Sequence, residues 1–414
     1  MALSALISYE VRPTNGGVNN GGGFKAGAGG TDYSQQDAAQ FSGTDLAVDA
    51  VSNTKVQSAT HNFVSADVGN VICISAGIGW TTGFYEITAA DGVEATLDRS
   101  PAAVGVTGGT WAQGGARSGF SNGVNSLQSS LIAGQKVWVK NEAWNEAVAF
   151  TVVGTVASPI IIEGYNTTRG DEPTGANRPT NDRANAAGVG ITAVARHIMK
   201  HLRVTRAGSH GFSPGSNNAV INCRSYNNGA RGFDFSNLTV TCINCEADTN
   251  ATDGIGYTTG ELVAIGCYCH DNTSNGIELS TGTLIGVFLI LEANSSHGLL
   301  GTTAELRLTN CTIDGNAGAS IDGVNLTTVP AGAFSWNCIY SNNGRYGVNA
   351  TDADGFVLDY NNFFGNGTGA RNPTTGAGAV LAGVNDVALD PQFADRANGN
   401  FAIGANLKGL GFPG

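Results

Sequence analysis

Apolar and polar positions repeat with a period of 22 residues from about residue 125 onward. A glycine followed by an apolar residue marks each repeat, and this marker recurs at Gly211-Phe212, Gly232-Phe233, Gly254-Ile255, Gly276-Ile277, Gly298-Leu299, Gly347-Val348 and Gly369-Ala370. In the longer gap, Ser320-Ile321 replaces the glycine pair, and one coil carries an insertion near residues 324–333. Alternating apolar residues predict strands with one buried face. The constant period predicts stacked coils instead of separate cores.

Three rows of small or apolar residues precede the marker, and we expect all three to face inward. Nine residues before it stand Cys223, Cys245, Cys267, Leu289, Cys311, Cys338 and Tyr360. Two residues earlier stand Ile221, Ile243, Ile265, Val287, Thr309, Trp336 and Leu358. Two residues later stand Ser225, Ala247, Cys269, Leu291, Ile313, Tyr340 and Asn362.

A row of asparagines lies four residues before the marker: Asn228, Asn250, Asn272, Asn294, Asn316 and Asn343. Asparagine at a tight turn can bond its side-chain amide to the next coil and tolerates left-handed backbone. Together with the 22-residue coil and the small inward residues, this row resembles the pectin-lyase-like superfamily. The resemblance covers roughly residues 125–400 and implies an all-β, right-handed, single-stranded parallel β-helix.

The eight cysteines fit the interior of such a fold. Five of them occupy one inward row: Cys223, Cys245, Cys267, Cys311 and Cys338. Buried free cysteine behaves as a small hydrophobic residue, and stacked parallel strands orient Cβ atoms badly for disulfides. The close pairs Cys242/Cys245 and Cys267/Cys269 leave a metal site as the alternative. Because their surroundings are apolar, we expect structural ladders, no metal and no cofactor.

Residues 1–124 differ from the repeats, and we place a domain boundary between 124 and 125. The glycine-rich positions 14–31 predict an extended arm or flexible link, and residues 51–100 predict a small antiparallel β unit. The runs GGGFKAGAGG and FVSADVGN resemble N-terminal parts of phage tailspike-type β-helix proteins. Residues 125–133 predict a short helix that caps the β-helix, and Leu389 begins a segment that resembles the usual closing segment of such proteins.

One polar row could carry chemistry. Six residues before the marker stand Tyr226, Asp248, His270, Glu292 and Asp314. Stacking would place Asp248 and Glu292 about 9.6 Å apart at the backbone, which is close to the separation used by inverting glycosidases. A carboxylate on each side is expected to raise the pKa of His270.

Three interpretations of this row stay open. It is a solvated outward row, a glycan-binding row made by Tyr226, Asp248, His270 and Glu292, or a catalytic site made by Asp248, His270, Glu292 and Asp314. The motifs of pectate lyases have no convincing counterpart. Ser209-His210-Gly211 and Ser296-His297-Gly298 resemble only in part the Gly-His-Gly motif of polygalacturonases, and their other three motifs are missing. An enzyme is therefore not the first expectation.

Charge and composition narrow the partners. The net charge of -12 disfavours nucleic acid, and no apolar run is long enough to span a membrane. The first ten residues lack the basic region of a signal peptide, so we expect folding in a host cytoplasm. The resemblance implies a phage virion structural protein, as a capsid decoration or tail appendage, attached to other virion proteins through residues 1–124 and contacting host glycans.

Two further expectations follow from that resemblance. The alternative function is a polysaccharide lyase or glycoside hydrolase, as in depolymerising tailspikes. Tailspikes of this fold are commonly trimers, so a homotrimer is expected by analogy. Its interface would use an outward row formed by Arg231, Asp253, Asn275, His297 and Tyr346.

Overall fold

The computed structural model describes residues 3–123, 126–235, 239–330, 332–352, 356–372, 380–405 and 407–408. These residues form two compact units, one of residues 1–182 with 193–202 and one of residues 183–192 with 203–414. The predicted boundary between residues 124 and 125 lies outside the described residues and stays a prediction. Within the described ranges, no helix is long and apolar enough to cross a membrane.

The first fifteen strands, in chain order, are β1 (Ile7–Val11), β2 (Gly23–Lys25), β3 (Phe41–Val48), β4 (Lys55–Gln57), β5 (Val71–Ala76), β6 (Gly83–Ala90), β7 (Glu94–Leu97), β8 (Gly109–Gln113), β9 (Lys136–Lys140), β10 (Ala143–Trp144), β11 (Val148–Phe150), β12 (Ile160–Tyr165), β13 (Thr180–Asp182), β14 (Ile191–Ala193) and β15 (His197–Lys200). Helix α1 spans Leu127–Ser130, and short 3-10 turns span Ser65–Asp67, Gly175–Asn177 and Arg396–Asn398. Helix α1 covers only part of the predicted segment 125–133, whose first residue is not among those described.

The later strands are β16 (Arg203–Thr205), β17 (Phe212–Pro214), β18 (Ala219–Ile221), β19 (Arg224–Tyr226), β20 (Phe233–Phe235), β21 (Val240–Ile243), β22 (Glu246–Asp248), β23 (Ile255–Tyr257), β24 (Glu261–Ile265), β25 (Tyr268–His270), β26 (Ile277–Val287), β27 (Ile290–Glu292), β28 (Leu299–Thr309), β29 (Thr312–Asp314), β30 (Val324–Thr328), β31 (Phe334–Trp336), β32 (Ile339–Ser341), β33 (Tyr346–Asp352), β34 (Val357–Asp359), β35 (Asn362–Phe364) and β36 (Gly369–Arg371). Strands β26 and β28 are each continuous where an earlier coil has two separate strands, as β23 and β24 both pair with β26.

The first unit contains a small closed barrel of antiparallel strands in the order β3-β4-β7-β6-β5-β8. Its core packs Trp111, Phe63, Tyr85 and Ile87 among smaller apolar side chains. The alternating apolar residues of these strands bury one face of each strand, which is why the short strands close on themselves. The predicted small N-terminal β-rich region is confirmed.

Strand β1 of the same unit lies beside β9 in parallel, with Ser8 opposite Lys136. Glu10 of this strand is fully buried and accepts hydrogen bonds from Arg12 at 3.1 Å, from Arg169 at 2.8 Å and from the Tyr165 hydroxyl. The glycine-rich segment 14–31 is not a free link, because Asn20 is buried and its amide donates to the Ala116 carbonyl at 2.8 Å. Long-range hydrogen bonds therefore tie the N-terminal residues into the unit.

The second unit stacks its strands in parallel coils. In one coil, β24 is followed by β25 and then by β26, and each pairs with its counterpart 22 residues further on, as Ile265 does with Val287 and His270 with Glu292. The predicted all-β, parallel β-helix fold is confirmed. All eight cysteines are buried and free.

One predicted inward row is wrong. Ile221, Ile243 and Ile265 are half-buried and Trp336 is 37% exposed, whereas the residues just before them, such as Val220 and Cys242, are fully buried. The cause is a left-handed corner residue after each strand, the corner row: Asn222, Asn244, Gly266, Phe288, Asn310, Asn337 and Tyr360, with φ between 50° and 63°. This single residue turns the chain, so the alternation does not continue from one strand into the next.

The last coil is one residue longer than the sequence pattern suggested. Tyr340 lies opposite Phe363 and Tyr346 lies opposite Gly369, so the marker glycine Gly347 aligns with Ala370 and not with Gly369. The predicted placements of Leu358, Tyr360 and Asn362 in the three inward rows are therefore wrong by one position. The shift also brings Asn366 into the asparagine row.

The asparagine row forms a continuous ladder that is buried from Asn228 to Asn343. Each side-chain amide nitrogen donates to the side-chain oxygen of the next asparagine at 2.9 to 3.1 Å, from Asn228 to Asn366. The amide of Asn272 also donates to the Ala247 carbonyl at 3.0 Å. The ladder residues themselves are not left-handed: the residue before each, such as Thr249 at φ 53° or Asp271 at φ 53°, takes that conformation.

Candidate functional site

The candidate site lies on the outer face of the short strands β19, β22, β25, β27 and β29. Their middle residues point inward, so the first and third residues of each strand form two columns on the outer face. The third residues are the row predicted from the sequence, here called the polar stripe: Tyr226, Asp248, His270, Glu292 and Asp314. The pairing of adjacent strands places them opposite one another in this order.

The second column was missed by the sequence analysis. It is called here the partner column and consists of Arg203, Arg224, Glu246 and Tyr268. Each member reaches diagonally to the stripe residue of the following coil. The contacts are Arg203 to the Tyr226 hydroxyl at 2.7 Å, Arg224 to Asp248 at 2.8 and 2.9 Å, Glu246 to His270 at 3.4 Å and the Tyr268 hydroxyl to Glu292 at 2.5 Å.

His270 is at the centre of the site. Its ring stacks on Tyr268 with centroids 4.0 Å apart, and its second nitrogen lies 2.8 Å from the Asp271 carboxylate. Burial alone would lower the pKa of the imidazole, but hydrogen bonds with Glu246 and Asp271 outweigh burial and raise that pKa. The pKa of His270 is thus raised in the expected direction, although the main partners are Glu246 and Asp271 and not both stripe neighbours.

Glu292 is the half-buried acid of the stripe. Burial raises the pKa of Glu292, although the Tyr268 hydroxyl and the charge of His270 act in the opposite direction. The carboxyl group therefore keeps its proton to higher pH than an exposed glutamate does. The stacked rings of Tyr268 and His270 lie next to this carboxyl group.

The other two carboxylates of the stripe are engaged in the structure. Asp248 is 4% exposed and forms a two-pronged ion pair with Arg224, which is a strong and directional interaction. Asp314 is fully buried and contacts Ser341, Asn342 and the guanidinium of Arg396 from the C-terminal segment. The interpretation of the stripe as a wholly solvated row is wrong for these two residues, because their neighbours cover them.

Glu246, Asp248 and His270 also have ligand-type atoms within 4.8 Å of one another. A divalent cation would prefer such carboxylate and imidazole ligands. However, the guanidinium of Arg224 lies 3.4 Å from Glu246 and 2.8 Å from Asp248. It already supplies the positive charge between these carboxylates, so the residues do not fit a metal site.

The two raised pKa values predict a pH dependence of stability. His270 and Glu292 both hold a proton more tightly in the folded chain than in the unfolded chain. Their contribution to stability is therefore complete below their ordinary pKa values of 6.5 and 4.5, and it is lost as pH rises through their pKa values in the folded chain. The melting temperature of the wild type should therefore fall more between about pH 5 and pH 8 than that of the double variant His270→Gln/Glu292→Gln. Thermal melts across this pH range check it, and parallel profiles would contradict it.

The row that was predicted for a trimer interface is largely internal to the chain. Asp253 and Asn275 are 4% and 3% exposed, and Asp253 binds Arg231 at 3.2 Å and Asn275 at 2.9 Å. His297 continues this row, as does the buried Asp322, a residue that was not in the predicted row. Asp253 and Asn275 are therefore not open to a partner, and the trimer itself stays a prediction.

A sequence signal could have revealed the partner column. The diagonal contacts of Arg224, Glu246 and Tyr268 join residues 24 positions apart, which is one coil plus two residues. A search for complementary side chains at this offset would have found them. The contact of Arg396 with Asp314 spans 82 residues and has no such periodic signal.

Comparisons with known proteins concern the fold. No protein-family model matches the chain, and no curated protein matches it. Pectate lyase Pel9A is similar in structure, with 17% identity and a TM-score of 0.47 over 66% of this chain and 80% of that one. The A-module of mannuronan C-5 epimerase AlgE4 from Azotobacter vinelandii has 13% identity and a TM-score of 0.35 over 62% and 91%. The catalytic domain of a GH87 alpha-1,3-glucanase has 10% identity and a TM-score of 0.25 over 85% and 86%.

Proposed function

We propose that the protein binds a polysaccharide along the polar stripe. The supporting observation is that the polar stripe and the partner column lie side by side. Their charged side chains, imidazole and aromatic rings follow one another from coil to coil at a spacing of about 4.8 Å. Carboxylate, imidazole and guanidinium groups can each bond sugar hydroxyls, and aromatic rings can lie against the apolar face of a sugar. The stack of Tyr268 and His270 beside Glu292 combines both kinds of contact in one place.

Hydrolysis of the bound glycan is the second candidate, favoured by the raised pKa of Glu292. A glycosidase needs a carboxyl group that is still protonated at working pH, because it donates its proton to the leaving oxygen. Glu292 is suited to this role. Asp248 is not suited to be its counterpart, because Arg224 already binds both of its oxygens.

The test measures binding and cleavage on a panel of neutral and acidic polysaccharides. Glu292→Gln, which removes the carboxyl group, and Tyr268→Phe, which removes the hydroxyl that bonds Glu292, should each weaken binding about tenfold. The matched control is Glu305→Gln, a carboxylate of β28 that is ion-paired with Arg307 at 2.7 Å on another sheet. Binding that survives both stripe substitutions unchanged would sink the proposal.

Cleavage is scored on the same panel by released reducing ends and unsaturated products. Reducing ends released by the wild type without unsaturated products, lost in Glu292→Gln and kept in Glu305→Gln, would support hydrolysis. Unsaturated products would indicate a lyase instead. Binding without release would leave a binding protein.

We further propose a phage particle as the setting, with residues 1–124 as the attachment region and a homotrimer as the assembled form. The support is the resemblance of FVSADVGN and its neighbouring runs to tailspike-type proteins. Sedimentation of the purified chain measures the oligomeric state, and a monomer at micromolar concentration would contradict the trimer. Mass spectrometry of purified particles would test the location, and absence of the chain from them would contradict it.

A further inference from the structure

A cavity of about 360 Å³ opens beside the second unit's later coils. One wall consists of four successive members of the corner row: Phe288, Asn310, Asn337 and Tyr360. Other lining residues come from the C-terminal segment, including Val387 and Ile403. The cavity is therefore bordered by stacked corner residues and by the C-terminal segment.

Two of these corner residues are unexpected for their backbone. Five of the seven members of the corner row are asparagine or glycine, the residues that best tolerate a positive φ. Phe288 and Tyr360 take the same conformation at φ 54° and 56° although bulky side chains are disfavoured there. Phe288 is also 58% exposed, so burial in the core does not explain its presence. Residues kept in a strained conformation cluster at binding sites.

The residues between the two rings are amides. The Asn337 amide nitrogen donates to the Asn310 oxygen at 2.7 Å, which fixes the orientation of both side chains. This bond uses one donor and one acceptor and leaves the amide nitrogen of Asn310 and the oxygen of Asn337 as the free ends of the pair within the described residues. The wall thus presents, in order, a ring, a donor, an acceptor and a ring.

The lining has no charge. Among the described residues that border the cavity, the polar groups are asparagine and tyrosine side chains, a threonine and thiols, without a carboxylate or a cation. A carboxylated sugar would lose its hydration here without gaining a counter-charge, which is costly. A neutral sugar would gain ring contacts and paired amide hydrogen bonds instead.

We propose that this cavity is a binding subsite for neutral sugar residues of a glycan. Phe288 and Tyr360 are the stacking surfaces at its two ends, and Asn310 and Asn337 bond the hydroxyls between them. The two rings are three coils apart, about 14 Å at the backbone, so the ligand is a short run of sugars that lies along the stack. The subsite does not rest on the polar stripe, because none of the stripe side chains lines the cavity.

The test uses Phe288→Asn and Tyr360→Asn, which install the residue type that other coils carry at the same corner. Relief of the backbone strain should leave the melting temperature equal or higher. Titration calorimetry with neutral gluco-, galacto- and manno-oligosaccharides, and with an oligogalacturonate as the acidic comparison, measures binding. A neutral oligosaccharide should bind the wild type, and each variant should bind it at least about tenfold more weakly.

Trp336→Thr is the matched control, because it removes an exposed aromatic residue one position before the corner and restores the threonine found one coil earlier. This control and Glu292→Gln should leave binding in the cavity unchanged. The proposal is overturned if the wild type binds no neutral oligosaccharide or prefers the oligogalacturonate. It is also overturned if the Phe288→Asn variant binds the neutral oligosaccharide as well as the wild type does. Because Glu292→Gln affects only the stripe, failure of one site is distinguished from failure of the other.

Discussion

Replacing Asn272 with alanine is expected to lower the free energy of unfolding by about 3 to 5 kcal/mol. Asn272 is fully buried, and its side-chain oxygen accepts bonds from both the backbone and the side-chain amide of Asn250. Its own amide donates to Asn294 and to the Ala247 carbonyl. Truncation leaves these groups without partners in a space that alanine does not fill, and each such group costs about 1 to 3 kcal/mol.

Urea unfolding followed by circular dichroism measures the loss. Because stacked coils can open in part, hydrogen exchange of neighbouring coils is the complementary measurement. Asn244→Gly is the matched control. Asn244 is an exposed member of the corner row at φ 50°, where glycine is tolerated, so a change of less than about 0.5 kcal/mol is expected. Equal losses in the two variants would contradict a special role of the ladder.

The second large effect concerns Glu10 in the first unit. Glu10→Ala is expected to cost about 3 to 5 kcal/mol, since removal of one partner leaves buried charges uncompensated. Its carboxylate binds Arg12 and Arg169, whose side chains are only 14% and 13% exposed. The Tyr165 hydroxyl would also lose its acceptor. Glu10→Gln should cost less, because it keeps the volume and one acceptor.

The unfolding transition of the first unit, measured with heat and with urea, gives this loss of stability. Glu94→Ala serves as the control, because Glu94 pairs with Lys55 at 3.1 Å and the lysine is 39% exposed. Exposed pairs of this kind contribute less than about 1 kcal/mol. A loss for Glu10→Ala as small as that for Glu94→Ala would show that the buried network is not needed for stability.

The sequence was sufficient for the coil architecture because every coil places the same residue type in the same environment. The asparagine row and the five-cysteine row are visible for this reason. The corner row was not anticipated, because one left-handed residue changes which side of the strand faces inward while Ile221 and its equivalents still look like core residues. The extra residue in the last coil was hidden for a similar reason, since Gly369 imitates the marker.

The position of the polar stripe was also predictable, but its chemical state was not. The order of Tyr226, Asp248, His270, Glu292 and Asp314 follows from the period alone. Whether a carboxylate is free or engaged depends on residues outside the row. Arg224 lies on the neighbouring column, and Arg396 comes from a distant segment. Neither the period nor local alternation indicates such contacts.

The pairing of β1 with β9 sets an order of events during synthesis of the chain. Ser8 and Lys136 are separated by the whole antiparallel barrel in sequence, yet they lie opposite each other in one sheet. The pairing of β1 with β9 can therefore form only after residues 136–140 have been synthesised, whereas β21 pairs with β24 across only 22 residues. Closing so long a loop is slow compared with the addition of local coils. The sheet that contains β1 and β9 is thus completed late.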